Sequence, residues 1–216
     1  MATDCKVRYR RYETVADEAH KLRQWLGIDA YSKFDITRQV EFLVGRTIGK
    51  LGVLHLDIFK HEEPDLAWVS YKPRLTLHVH HEIWQDARLG EPKSRFILAH
   101  ELGHIFLHGY FRQAFSDDET MHLRAWPEEE RAEPQANWFA EQFIAPDHLA
   151  RSCKSTTDLC LKFDFPEDYA DHRMTRLKDC RIVHVGTACQ SCANFSLVQH
   201  GSRLTCEICG VTMECL

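Results

Sequence analysis

Long apolar runs are missing from this chain. No stretch approaches the ~18 consecutive apolar residues of a membrane-spanning helix, and the opening M-A-T-D-C-K-V-R-Y-R-R lacks the apolar centre of a secretion signal. A cytoplasmic protein with no membrane partner is therefore expected. Basic charge is scarce as well. A net charge of −5 and a pI near 6.3 argue against a chain built chiefly to coat nucleic acid, although Arg8, Arg10 and Arg11 form a short basic patch. Internal repeats and low-complexity segments are absent. Disulfide pairing has little support, because nine cysteines are an odd count without a secretion signal. Free thiols and metal ligands are expected instead.

What the chain does have is room for one good-sized domain and a small appendage in its 216 residues, with an ordinary 44% hydrophobic and 27% charged composition. Its fourteen histidines are too many for their number alone to argue anything. Their placement says more. Within Ser94–Tyr110, His100, Glu101 and His104 spell H-E-x-x-H among the apolar residues Phe96, Ile97, Ala99, Leu102, Ile105, Phe106 and Leu107. On a helix, positions four apart share a face, so the two imidazoles can grip one zinc ion with Glu101 beside the water to be activated. Gly109 suits the helix end. The plainer alternative is an amphipathic helix that happens to carry two histidines.

Periodicity predicts helices over Thr14–Leu26, capped by Thr14 and ended by Gly27, and over Asp35–Leu51. Alternation then predicts strands at Val53–Phe59, Trp68–Tyr71 and Leu75–Val79, the last two joined as a hairpin by Lys72–Arg74. The acidic stretch Ser116–Glu133 holds seven acids against Arg124 and Arg131 and reads mostly as a mobile loop. Glu133–Ile144 is helical again, Pro146 ends it, and Thr156–Lys178 holds two short helices split near Pro166.

A zinc hydrolase site needs a third protein ligand and an open position for water. The metzincin arrangement would need Gly and His where Leu107 and Tyr110 stand. His108 lies one further turn along the helix, and three ligands spaced by fours on a straight helix cannot converge, so it is expected to support the ligands from behind. A carboxylate from the later helix remains: Glu133, with Asn137 one turn on to orient a histidine, or Glu141 two turns further. Tyr110, His122 and His172 are candidates for stabilising an oxyanion.

The blocks R-F-I-L-A-H-E-L-G-H-I-F-L-H and E-P-Q-A-N-W-F-A-E-Q-F-I-A-P together resemble the ImmA/IrrE family of metallo-endopeptidases, over roughly Tyr12–Leu177. Ile97 stands where that family usually has Thr, and the acidic stretch widens the spacing between the blocks. The resemblance implies an α+β, gluzincin-like minimal metalloprotease: a small antiparallel sheet packed with helices. It implies His100, His104 and Glu133 as ligands of a catalytic zinc and Glu101 as catalytic base. It also implies a protein substrate, a helix-turn-helix transcriptional repressor. The expected organisation is a metallopeptidase domain at 1–150, a helix-turn-helix-like extension at 151–180 and a zinc ribbon at 181–216.

The ribbon rests on its own residues. Cys189-x-x-Cys192 and Cys206-x-x-Cys209 form two knuckles, and four thiolates close a tetrahedral structural zinc site. Phe195–Val198 and Arg203–Thr205 are expected to pair as a hairpin, with Cys215 and His200 as substitute ligands. Direct nucleic-acid binding by this segment is left open but weakened, since it carries no basic excess. The competing reading of the whole is a non-catalytic regulator or toxin–antitoxin-type binding protein. It would use the protease scaffold as a sensor and the ribbon for partner or DNA binding.

Overall fold

A computed structural model describes residues 4–63, 65–109, 126–179, 197–200, 203–206 and 209–214. The chain divides into two compact units, Met1–Ala170 and Asp171–Leu216.

In the first unit α1 (Tyr12–Trp25) buries Val15, Ala19 and Leu22, and Gly27 at φ +69° turns the chain out of it. Its N-cap is Arg11, so Thr14 lies inside the first turn instead of capping it. The second predicted helix is much shorter than its periodicity implied. α2 runs only over Ile36–Leu43, with Asp35 accepting hydrogen bonds from the Thr37 and Arg38 amides. Beyond it Gly45 and Gly49 adopt positive φ (78° and 49°), and Thr47 bridges Val53. Ile48 keeps its buried place from a turn instead of a helix.

The sheet contains β1 (His55–Phe59), β2 (Ala67–Ser70) and β3 (Thr76–His80) in the order β1-β3-β2. β2 and β3 form the expected antiparallel hairpin, Ala67 opposite Val79. β1 runs parallel to β3, His55 opposite Thr76, so the sheet is mixed and not antiparallel throughout. A short helix, α3 (His81–Arg88), follows directly and buries Trp84 and Ala87.

α4 (Pro92–Gly103) and α5 (Ala132–Ile144) form the centre of the unit. Leu98, Ala99 and Leu102 on α4 and Ala136, Phe139, Ala140 and Phe143 on α5 are fully buried. Two arginines are buried with them. Arg23 donates to the carbonyls of Ile28 (2.7 Å), Tyr31 (2.6 Å) and Phe143, while Arg95 donates to Phe163 O (2.8 Å) and Phe34 O (3.2 Å). Both guanidiniums lie over the Phe34 ring, at 5.3 and 5.4 Å from its centroid. Their long reach ties loops that lack secondary structure to the central helices. α6 (Asp147–Ala150) and α7 (Thr156–Phe163) complete the unit, and α8 (Glu167–Asp179) carries the chain into the second.

The second unit contains a small antiparallel sheet, β4 (Leu197–His200), β5 (Arg203–Cys206) and β6 (Thr212–Glu214), in that order. The hairpin β4–β5 was expected; β6 was not. Cys189, Cys192 and Cys215 lie outside the described residues, as do Cys180 and most of the acidic stretch. Among the described residues no helix is long and apolar enough to cross a membrane.

Candidate metal centre

α4 begins at Pro92, and Glu91 before it accepts from the Lys93 (3.1 Å) and Ser94 (2.6 Å) amides. At His104 the helix widens into a π-helical turn, His104–His108, whose first carbonyl also accepts from the Tyr71 hydroxyl at 2.9 Å. Gly103 sits at the boundary for a steric reason. A Cβ there would lie 3.1 Å from both Ala136 Cα and Phe139 Cβ, so glycine lets α4 approach α5. Gly109 is likewise a packing residue: it keeps right-handed helical torsions, and a Cβ on it would collide with Leu51 Cδ1 at 2.3 Å.

This close approach brings together three groups from the two helices. His100 Nε2 lies 2.9 Å from His104 Nε2 and 3.1 Å from Glu133 Oε2, and His104 Nε2 lies 3.3 Å from Glu133 Oε1. Glu133 is the carboxylate that meets both imidazoles; Glu141 is buried two turns further along α5. Glu101 is 7% exposed and has a carboxylate oxygen within 4.8 Å of both imidazoles' ligand atoms.

The hydrogen bonds behind the triad dictate its tautomers. Gln135 spends its amide N–H groups on the Arg8 (3.0 Å) and Glu129 carbonyls, so its Oε1 can only accept, from His108 Nε2 at 3.1 Å. A neutral His108 donating from Nε2 has a bare Nδ1, which accepts from His104 Nδ1 at 3.2 Å. His104 therefore presents a lone pair at Nε2. His100 reaches the same state by donating from Nδ1 to Asn137 Oδ1 at 2.8 Å. With those tautomers two lone pairs and a carboxylate face one another, an arrangement that calls for a proton or a metal cation between them. Glu133 Oε1 is buried and accepts no hydrogen bond, which completes the picture. Ligand atoms about 2.0–2.2 Å from a tetrahedral zinc stand roughly 3.3 Å apart, close to the three separations seen here.

The electrostatics agree. Burial opposes ionisation of Glu133, but the N–H groups and charge that His100 and His104 bring when protonated outweigh it and hold the carboxyl below its usual range. Burial likewise opposes protonation of His100, yet Glu133, Glu101 and Asn137 together raise its pKa. The centre attracts positive charge in whatever form is available.

Residues 55–162, half of the 216, match the Peptidase_M78 family, described as the IrrE N-terminal-like domain. The chain belongs to that family. No curated protein and no solved structure matches the chain. The Peptidase_M78 match runs from β1 to within α7, so it encloses α4, α5 and the whole His100–His104–Glu133 cluster.

Some residues of the centre had no sequence signal. Gln135 reads as an ordinary polar residue of the second block, although its complete burial marks it out. Asp4 accepts from the Glu133 amide (3.1 Å) and pairs with Arg131 (2.7 Å), capping α5 from the far end of the chain. Of the oxyanion candidates, Tyr110 and His122 lie outside the described residues, and His172 belongs to the second unit. In that unit Cys206 ends β5, buried, and Cys209 is exposed in the following turn. There the Gly210 amide donates to Cys206 O (2.8 Å), the Cys206 amide to Val211 O (2.9 Å), and Gly210 has φ +71°.

Proposed function

We propose that this Peptidase_M78 chain is a zinc-dependent endopeptidase that cuts a protein partner, with His100, His104 and Glu133 as metal ligands and Glu101 as catalytic base. The convergence of two bare Nε2 atoms and a carboxylate, enforced by Asn137 and by the His108–Gln135 relay, carries this reading. Zinc bound there supplies Lewis acidity to a water and to the scissile carbonyl. Glu101, held on the same helix face, takes the water's proton on its carboxylate and returns it to the leaving amine. Asn137 and His108 keep both imidazoles aimed, and the apolar faces of α4 and α5 exclude bulk water from behind. A carboxylate that lies beside the ligands without serving as one favours a reaction over a purely structural metal.

The resemblance to ImmA/IrrE endopeptidases makes a helix-turn-helix repressor the proposed substrate, and the Cys189, Cys192, Cys206 and Cys209 ribbon the proposed second, structural zinc site. The tight turn after Cys206, closed by Gly210, supports one knuckle of that ribbon. The test is to look for a helix-turn-helix repressor gene beside this one and to incubate its product with wild type and Glu101→Gln. Wild type should cleave it; Glu101→Gln should keep its zinc and lose activity by several orders of magnitude. Cleavage that survives the substitution would remove Glu101 from the mechanism.

A further inference from the structure

A second cluster of ligating side chains lies away from α4, where α1, the loop after it and α6 meet. Gly27 turns the chain back on itself, and Arg23 fixes the returning loop through the Ile28, Asp29 and Tyr31 carbonyls. Asp29 is thereby set against His20 of α1 and His148 of α6. Asp29 Oδ1 is 3.0 Å from His20 Nδ1 and 3.6 Å from His148 Nε2, and the three ligand atoms all lie within 4.8 Å of one another.

The directions of these groups matter more than their distances. Asp29 Oδ1 is buried and accepts no hydrogen bond, despite the nitrogen 3.0 Å away. The His20 ring is therefore close to the oxygen without aiming an N–H at it, as two ligands do when both aim at a third point. Arg23 Nε, 3.9 Å from the same oxygen, is too far to satisfy it. His20 Nε2 lies 2.9 Å from the amide nitrogen of the exposed Gln24, and Nδ1 is the nitrogen turned to Asp29. Nδ1 offers a lone pair to an ion once the Gln24 amide turns its oxygen to an Nε2–H. Without an ion, His148 Nε2 donates to the Asp29 carbonyl oxygen at 3.0 Å; a cation would displace that proton and could take the carbonyl as a fourth ligand. A groove of about 290 Å³ opens on this cluster, lined among others by Asp17, His20, Asp147, His148 and Arg151. It gives an ion a path inward and leaves space for water ligands.

We infer that His20, Asp29 and His148 form a further metal site, for a borderline divalent cation such as zinc. Two imidazoles and one carboxylate are the donor set such ions prefer. The ion would clip α1 to α6, and so brace the C-terminal end of the helix that begins beside Glu133. Part of the donor set is exposed to solvent, so this site should be weaker than the buried centre and fill only at higher free zinc.

The test uses the full chain and His20→Gln and His148→Gln variants. Both positions are partly exposed, and neither belongs to the His100–His104–Glu133 centre. Each protein is equilibrated at about 10 µM free zinc, its bound metal counted, and its melting temperature compared with that at nanomolar zinc, since a ligand of the native state raises stability by mass action. Wild type should hold one zinc per chain more than either variant and show a zinc-dependent rise in melting temperature that both variants lose. The same difference should persist in a Glu133→Gln background, which separates this site from the catalytic one. Equal zinc counts in wild type and His148→Gln would overturn the assignment. They would also leave His20 and Asp29 as a simple ion pair.

Discussion

Within the metal centre, the roles of individual atoms follow from one glutamine. Gln135 can offer only its carbonyl oxygen to His108, because its N–H groups are committed to two backbone carbonyls. Replacing it with Leu frees His108 to rotate its proton to Nδ1, where it opposes the His104 proton. His104 must then carry its hydrogen on Nε2 and lose its lone pair. Gln135→Leu should weaken zinc binding about 10–100-fold, read by competition with a chromogenic chelator. If the affinity is unchanged, the tautomer argument fails. Spacing pointed to the H-E-x-x-H pair, because one helix turn fixes which residues share a face; it left Glu133, with Asn137 one turn on, open against Glu141, and the family resemblance chose between them. Gln135, Asp4 and Tyr71 could not be read from spacing. Their partners are backbone groups 6 to 129 residues away in sequence, and sequence contains no spacing rule for such contacts.

Secondary-structure elements show the same division. α1, α5, α7 and α8 were legible from apolar periodicity, and the β2–β3 hairpin from its turn. Ile48 and Leu51 continued the α2 pattern, but the positive torsions available to Gly45 and Gly49 ended that helix early. α3 went unread because its eight residues are mostly polar; β1 was legible as a strand, but its parallel direction was not, because strand direction depends on the chain path between strands. The approach of α4 to α5 is the element-level feature on which the site depends. Gly103→Ala would place a methyl 3.1 Å from Ala136 Cα and Phe139 Cβ, so the helices must move apart by a few tenths of an ångström. We expect a loss of about 1–3 kcal/mol by denaturant unfolding. A drop in zinc affinity should accompany it, since the same movement separates Glu133 from the imidazoles. An unchanged affinity would mean that the ligands follow the helices without cost. α4 also carries its own pH signature. Burial raises the pKa of the Glu91 carboxyl, but the Ser94 and Lys93 amides outweigh that and lower it below its ordinary 4.5. A depressed carboxyl contributes stability above its unfolded value, which is lost as pH falls through the folded one. Acid unfolding of Glu91→Gln should therefore be less steep below about pH 4.5 than that of wild type, as followed by circular dichroism.

At the scale of the whole molecule, the two units have different sources of stability. The first buries two packed helices, a mixed sheet and two arginines that tether its loops, enough apolar surface for a domain to hold itself together. The described part of the second has the end of α8, from Asp171 on, and three strands of four, four and three residues. Sheets of that size lack a core, and a bound metal is the usual substitute because its binding energy becomes folding energy. Cys206 is fully buried and sits where the β5 ladder gives way to the turn closed by Gly210, so its thiol is the most sensitive point at which to test the ribbon. At limiting free zinc, where only tight sites fill, wild type should hold two ions per chain and Cys206→Ser one. Limited proteolysis of Cys206→Ser should then remove the region from about residue 180 onward, while the first unit persists and still loads zinc at His100, His104 and Glu133. Two outcomes are informative against this picture. An unchanged zinc count would show that no metal is held at Cys206. A lost zinc with unchanged protease resistance would show that the β4–β5–β6 sheet folds without one.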